Sequence, residues 1–493
     1  MTFDFAQLGV PASLIDALAQ RGITTPTPIQ AATLPDSLAG RDVLGRGRTG
    51  SGKTFAFLLP LVTRLGLSDS RRQPKRPRAL VLAPTRELAS QIHESLATLE
   101  GPSRLTSTVV FGGVNQNPQA KALAKGVDVL IACPGRLLDL MGQGLVNLGA
   151  VEITVIDEAD HMADMGFLPN VRRILQATPM SGQRMLFSAT LDAGVSTLVK
   201  QFLTDPVTHE ADSAHSPVST MSHHVLRVTT DDRTQVVAEL AAAPGNTIVF
   251  TRTKHGAKKL AKQLIGLGVP AVDLHGNLSQ NARTRNLDAF HSGRVRTLVA
   301  TDIAARGIHV DDVSLVVHAD PPVEHKAYLH RSGRTARAGA EGTVVTLELP
   351  SQRSDVQSLL RQAKIRPTFT PAAPGSQILT SIAPGERTFL APATAAELAG
   401  VMPKQPQPQR PAKPASKSTQ GQAAGRSGSG RPQGAGRSQG RPAASRNATR
   451  AGASSGSQRA GAQRSGSGSQ RAGNASASAH SAADFSKGYR RGR

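Results

Sequence analysis

The stretch Gly47-Arg48-Thr49-Gly50-Ser51-Gly52-Lys53-Thr54 fits G-x-x-x-x-G-K-[ST], a loop whose glycines let backbone N–H groups close around phosphate oxygens. In that pattern the lysine meets the terminal phosphates and the hydroxyl binds magnesium. Further along, Ile153-Thr154-Val155-Ile156 reads as a short buried strand running into Asp157-Glu158-Ala159-Asp160. Asp157 then falls at the carboxyl end of a strand, where open α/β sheets place ligands. It is suited to hold a metal, and Glu158 to prepare a water. Either piece alone could be a glycine turn or a solvated acidic turn, but their order and strand contexts together describe a nucleotide engine.

Short β-rich runs alternate with helical stretches on both sides of this pair. Ala79–Ala83, Thr108–Phe111, Val127–Ala132, Ile153–Ile156 and Arg184–Phe187 come first. After a polar passage around Thr204–Ser222 the rhythm restarts with Thr247–Phe250, Ala271–Leu274, Thr297–Ala300, Val313–His318 and Thr343–Leu347. This alternation predicts two similar α/β domains with mostly parallel sheets. Polar or glycine-bearing motifs follow the strands, among them Pro84–Leu88, Gly112-Gly113, Pro134–Arg136, Ser188–Thr190, His275-Gly276 and Thr301-Asp302. Loops collected on one sheet edge are what a cleft requires, although Gly112-Gly113 or His275-Gly276 alone would read as simple turns.

Composition bounds the partners. The 493 residues carry 58 Lys+Arg against 35 Asp+Glu, a formal charge of +23, and +16 of it lies in 402–493, which has 17 Lys+Arg and one acid, Asp484. That segment has no Leu, Ile or Val and cannot bury a core, so it is expected to be a disordered Arg/Gly/Ser-rich tail. Its near-repeats Ser457–Gly461 and Ser469–Gly473 suggest RNA binding, with a solubilising linker as the plainer alternative. A single cysteine, Cys133, excludes a disulfide framework and a multi-cysteine zinc site. No signal sequence or membrane-spanning run is evident, so a cytoplasmic protein with no membrane partner is expected.

Taken in order, Gly22–Gln30 (GITTPTPIQ), RTGSGKT, PTREL, CPGR, DEAD, SAT, ATDIAARGI and HRSGRTARAG over roughly residues 1–365 resemble the DEAD-box RNA helicases of superfamily two. The bacterial RhlE-like branch, with its basic tail, looks most similar. The resemblance implies two tandem RecA-like domains, an α/β architecture of parallel sheets flanked by helices, and ATP-dependent RNA remodelling with Mg2+. The implied organisation is an ATP-binding domain at 1–205 with its glutamine motif at 3–31, a linker at 206–222, a second helicase domain at 223–368, an extension at 369–401 and the tail.

The resemblance also assigns residues. Gln30 would read the adenine edge, with Phe5 or Phe3 stacked on the base. Gly50, Ser51, Gly52, Lys53 and Thr54 would hold phosphates, Thr54 and Asp157 the magnesium, and Glu158 the attacking water. Arg331, Arg334 and Arg337 are spaced to share one helical face. The resemblance makes Arg334 and Arg337 arginine fingers, gives His330 a link between the nucleotide and RNA sites, and puts Asp302 at the ribose. Thr85, Arg86, Gly113, Gly135, Arg136, Thr301, Arg306 and Gly307 would grip one RNA strand by its backbone, and Ser188 and Thr190 would couple hydrolysis to strand separation. Ribosomal precursor particles or RNA-decay proteins are the candidate partners. Cys133 stands where threonine is usual before Pro-Gly-Arg, and His309 where aspartate commonly follows Gly-Ile. Gly47 and Arg48 replace the common Ala and Gln/Lys. A DNA translocase and an ATP-timed RNA clamp or annealing factor are the rival functions.

Overall fold

In a computed structural model, residues 4–48, 50–211, 221–305, 308, 310, 312–336 and 340–400 are described, and all of them fall within one unit, Met1–Gln409. Two seven-stranded, wholly parallel sheets organise it. The first is built from β1 (Val43–Arg46), β2 (Ala79–Leu82), β3 (Ser107–Val110), β4 (Val129–Ala132), β5 (Ile153–Ile156), β6 (Gln183–Ser188) and β7 (Val207–Glu210), in the order β3-β4-β2-β5-β6-β1-β7. The second contains β8 (Met221–Arg227), β9 (Asn246–Phe250), β10 (Ala271–Leu274), β11 (Thr297–Ala300), β12 (Val313–His318), β13 (Gly342–Glu348) and β14 (Thr368–Pro371), in the order β10-β11-β9-β12-β13-β8-β14.

Strands β2, β4 and β5 are buried at every position, as apolar runs covered by helices on both faces must be. Because all strands of a sheet run the same way, the loops that follow them emerge along one edge. Helices restart there at side-chain caps. Thr85, Asp192, Thr253 and Ser279 accept hydrogen bonds from the N–H groups of Leu88, Val195, Gly256 and Ala282. The predicted functional loops thus occupy the same rim of each sheet.

The segment expected to be a linker carries regular structure. β7 pairs with β1, so the expected linker 206–222 contributes an edge strand to the first domain, and its last two residues begin β8, which pairs with β13. The extension 369–401, whose structure the sequence left open, is ordered over 369–400. β14 adds an edge strand beside β8, and the helices Gln377–Ile382 and Pro392–Leu398 pack on the second domain. The tail 402–493 lies outside the described residues. Among the described residues no helix is long and apolar enough to cross a membrane.

Candidate nucleotide chamber and nucleic-acid groove

The phosphate loop follows β1, and its geometry depends on two glycines in the left-handed region, Gly50 (φ +88°) and Gly52 (φ +91°). A Cβ on Gly52 would sit 2.5 Å from Thr27 Oγ1 and 2.8 Å from Gln30 Nε2, so no other residue fits. Gly52 caps the helix Lys53–Leu67, whose first turn carries no acidic side chain, leaving the helix end free to receive an anion. Lys53 is buried and its Nζ donates to the carbonyls of Gly47 (2.7 Å) and Arg48 (3.0 Å). The buried Ser51 hydroxyl has no partner among the described residues, and Thr54 lines the cavity. An ammonium, an orphaned hydroxyl and an open helix end form a donor set that fits a polyphosphate.

Gln30 is 2 % exposed and braces this loop. Its Oε1 accepts from Thr27 N–H (2.9 Å) and its Nε2 donates to the Gly52 carbonyl (2.9 Å). One N–H and one lone pair of the carboxamide remain for a base edge. Phe5 is 1 % exposed within the first domain's core and offers no face for stacking. That corrects its assignment. Phe3, the other aromatic considered, lies outside the described residues, as does Thr49.

Asp157 follows β5, its N–H held by the Leu82 carbonyl at 2.9 Å and its Oδ1 accepting from Glu158 N–H at 2.9 Å. Glu158 adopts φ +49°, a left-handed conformation that is uncommon and costly for a non-glycine residue. Its Oε2 lies 3.2 Å from His161 Nδ1. Burial, together with the neighbouring charges of Glu158 and Asp160, pushes the Asp157 carboxyl up to about 7 despite Lys53 nearby. Burial would raise Glu158 too, but the hydrogen bond and charge of His161, with Lys53 and Arg334, hold it well below the usual carboxylate range. Two adjoining buried carboxyls fit a divalent cation. Magnesium takes one or two carboxylates and keeps water and substrate oxygens, a donor number this pair can supply.

The last residue of the acidic tetrad does different work. Asp160 Oδ2 accepts from the Thr190 N–H (2.9 Å) and hydroxyl (3.0 Å). Asp160 N–H donates to Ser188 Oγ (3.2 Å), which itself donates to the Thr190 carbonyl (2.7 Å). Ser188 and Thr190 are thus wired to Asp160 beside the nucleotide loop.

From the second domain, Arg334 is 3 % exposed, donates to the Ile308 carbonyl at 2.7 Å, and lies close enough to act electrostatically on Glu158 across the chamber. The helix His325–Ser332 ends before it, so Arg331 and Arg334 do not share a helical face, which corrects the spacing argument. Arg331 instead holds Asp302 (Nη2 to Oδ2 2.7 Å), donates to the Asp320 carbonyl (2.6 Å) and lies over the Phe250 ring at 5.1 Å. Both Asp302 oxygens are engaged by this arginine, so a ribose contact would have to compete with it. His330 lies in the last turn of the same helix and is half-buried, and Arg337 is outside the described residues. Gly52, Lys53, Thr54, Asp157 and Glu158 face Ile308, Val310 and Asp312 across a chamber of about 730 Å³.

A second cavity of about 500 Å³ is lined by Thr85, Arg86, Gly135 and Arg136 of the first domain and Gly276 and Ile303 of the second. Gly113 (φ +76°) lets the Arg86 guanidinium pass, since a Cβ there would collide with it. Arg136 is steadied by Gln119 Oε1 (3.3 Å) and the Val114 carbonyl (3.4 Å). Thr301 is buried at the end of β11, two residues before Ile303, while Arg306 and Gly307 lie outside the described residues. Sequence reasoning missed the contact between the domains. Glu87 Oε1 receives Arg283 Nε (2.8 Å) and Gln280 Nε2 (3.2 Å), and Arg86 Nη1 donates to Gln280 Oε1 (2.8 Å). Burial raises Glu87, but the Arg283 hydrogen bond and charge outweigh it, so its carboxyl stays depressed. Gln280 and Arg283 stand one turn apart just inside a serine-capped helix, a spacing that could have marked them.

Residues 27–198 match the DEAD/DEAH box helicase family, and 232–339 match the helicase conserved C-terminal domain. An ATP-dependent RNA helicase RhlB of Pseudomonas syringae is 39 % identical over 349 residues, 69 % of this chain and 88 % of the relative. A chloroplastic DEAD-box ATP-dependent RNA helicase 3A of Zea mays is 39 % identical over 386 residues, 77 % of this chain but 51 % of the relative. The chain thus spans about half the length of the maize relatives it matches. Among solved structures, S. cerevisiae Dbp5 bound to RNA and ADP BeF3 has a TM-score of 0.68 at 29 % identity, covering 77 % of this chain and 98 % of that one. Mss116p bound to ssRNA and AMP-PNP has 0.66 at 25 %, covering 78 % and 83 %. These neighbours share the two-domain RecA-like fold.

Proposed function

Since this chain belongs to the DEAD-box helicase family, we propose that it is an ATP-dependent RNA helicase that hydrolyses ATP to ADP and phosphate while locally and non-processively unwinding short duplexes or remodelling ribonucleoproteins. One observation supports this most directly. The helix Arg86–Ser103 lines both cavities, with Leu88, Gln91 and Glu94 toward the chamber and Arg86 and Glu87 toward the groove, and the Glu87–Arg283 pair lies at that division. Each cavity takes walls from both domains, so ligands in either favour the same closed arrangement, which is the requirement for cooperative binding.

In this reading ATP is substrate. Lys53 leaves its loop carbonyls to meet the terminal phosphates, the first-turn N–H groups receive them, and Gln30 offers its remaining donor and acceptor to adenine. Stacking falls to Phe3. Thr54 and Asp157 would hold Mg2+, which when bound neutralises phosphate charge and orients the transferred group. Glu158, kept ionised by His161, Lys53 and Arg334, orients and deprotonates the attacking water. Arg334 and Arg337 stabilise the charge that develops on the γ-phosphate, and His330 joins the two sites. Asp302 sets Arg331. Ser188 and Thr190, through Asp160, relay the state of the acidic strand end.

On the groove side Thr85, Arg86, Gly113, Gly135, Arg136, Thr301, Arg306 and Gly307 grip phosphates and 2′-hydroxyls, which needs no base sequence. Closure bends the strand away from A-form geometry and a few pairs are lost. We further assign the chain to the RhlE-like branch, with 402–493 as an RNA-binding tail, a cytoplasmic setting, and ribosomal precursor particles or RNA-decay proteins as partners. ATP hydrolysis should be stimulated by single-stranded RNA and not by DNA, and a short RNA duplex should come apart only with ATP present. Equal stimulation by DNA would favour a DNA translocase. Deleting Met402–Arg493 should weaken RNA binding and flatten its salt dependence. An unchanged slope would make that segment a spacer.

A further inference from the structure

The helix Lys254–Gly266 carries more positive charge than its own stability can explain. Lys254, His255, Lys258, Lys259 and Lys262 are all exposed, and the helix contains no acidic residue. Lys254, Lys258 and Lys262 repeat every four residues and form one line, with His255 and Lys259 a parallel one. Like charges at that spacing repel, and basic residues in the first turn oppose the helix dipole. Among the described residues none of these four lysines has an ion-pair partner. Only Lys254 is engaged, donating to Asn277 Oδ1 at 3.1 Å.

The line begins at the groove. Gly276 lines that cavity, and a Cβ on it would lie 3.4 Å from Lys254 Cε. From Lys254 the row extends over eight residues to Lys262, about 12 Å at 1.5 Å per residue. The opposite face of the helix, with Ala257, Leu260, Ala261 and Leu264, is buried against the second sheet, so the lysines sit on a rigid element rather than a loop.

We propose that this lysine face is a phosphate-binding track, continuous with the groove, that holds the portion of an RNA strand extending beyond it. The inference rests on the RNA-remodelling function above and adds a footprint to it. Ammonium groups without carboxylate partners suit a flexible polyanion, and point-charge contacts to phosphates are indifferent to base sequence.

The full chain should be compared with a triple variant, Lys258→Gln, Lys259→Gln and Lys262→Gln. Two oligomers serve as probes, one of six nucleotides that fills the groove and one of sixteen that overruns it. The substitutions are exposed and relieve like-charge repulsion, so thermal stability should not fall. The variant should bind the long oligomer about tenfold more weakly at moderate salt, with the slope of log affinity against log salt reduced by about 2, three charges at roughly 0.7 each. Binding of the short oligomer, and the ATPase it stimulates, should not change. In the parent protein the long oligomer alone should protect these lysines from an amine-reactive label. The 402–493 segment is common to both proteins, so it does not enter the difference. Equal affinities and slopes for the long oligomer, or lysines labelled alike with and without it, would overturn the track. If the parent protein bound neither oligomer, the RNA-remodelling function itself would fail, and the track with it.

Discussion

The two domains bring unequal parts to the shared chamber. In the first, each reactive group is held by bonds internal to that domain: Lys53 on loop carbonyls, Gln30 on Gly52, Glu158 beside His161, and Asp160 bonded to Ser188 and Thr190. The second supplies cations, Arg331 clamped by Asp302 and Arg334 held by a backbone carbonyl, with little of the chemistry of its own. The first domain is thus a site assembled before its partner arrives, and the second completes it. A fixed set of donors costs no reorganisation at the moment of reaction, whereas a completing charge can be delivered or withdrawn. In the proposed reading, activity is therefore gated by domain closure.

The largest test of that contrast is Arg334→Ala. Arginines supplied across an interface contribute about 10³–10⁵ in rate, so kcat should fall in that range while ATP affinity changes little. A kcat near the parent value would mean the first domain is self-sufficient. Glu158→Gln probes the preassembled half and should lower kcat about 10²–10⁴-fold, with ATP and RNA still bound. Rapid unwinding by that variant over many ATP cycles would contradict the role. Glu87→Gln addresses the link itself. Removing one partner of a pair that is nearly buried on both sides should cut the ATP–RNA binding cooperativity about tenfold, within the usual 1–3 kcal/mol of coupling. Because the Glu87 carboxyl is depressed in the closed form, this contribution is present at neutral pH and is lost as pH falls through and below the ordinary carboxylate value of 4.5. Cooperativity measured between pH 7 and 4 should persist to the acidic end and then fail.

How much of this was legible depended on where side chains point. The central strands were visible as apolar runs because both their faces are covered. The edge strands were not. β7 (Val-Thr-His-Glu) and β14 (Thr-Phe-Thr-Pro) alternate or stay exposed and look like connectors. β8 was hidden by His223 and His224, yet His223 lies inside the second domain, its Nδ1 3.0 Å from the Tyr328 hydroxyl, with His318 edge-on to the same ring at 4.8 Å. Burial pushes His223 down to about 4 and His318 well below its ordinary value, so both behave as neutral core groups. The smallest prediction follows from them. Stability of the second domain is complete above the ordinary histidine value of 6.5 and declines as pH falls from there toward 4, so its thermal midpoint should drop over that interval. A flat profile would mean that these imidazoles are solvated.

For the site, motif spacing marked the phosphate loop and the acidic strand end, since local backbone chemistry fixes them, while the groove residues came only from the family resemblance. What it could not locate were pairings across long separations. Phe5 and Phe3 both suit a stacking role by type, and nothing in the sequence marks Phe5 as a core residue. The contact of Glu87 with Arg283 joins residues 196 apart, and Asp160 meets Thr190 over 30. Local pattern could flag Gln280 and Arg283 on their helix, but not the partner that either pairing joins.

Domain closure driven jointly by both ligands can be measured by energy transfer between dyes on the two domains. Leu67 and Val323, each 80 % exposed, are suitable positions for cysteine substitution. The native Cys133 is buried and its thiol is pushed up to about 12, so it will compete little for the dye. A high-transfer state should dominate when a non-hydrolysable ATP analogue and single-stranded RNA are both saturating, and fall away with either alone. Unchanged transfer with both present would contradict the account.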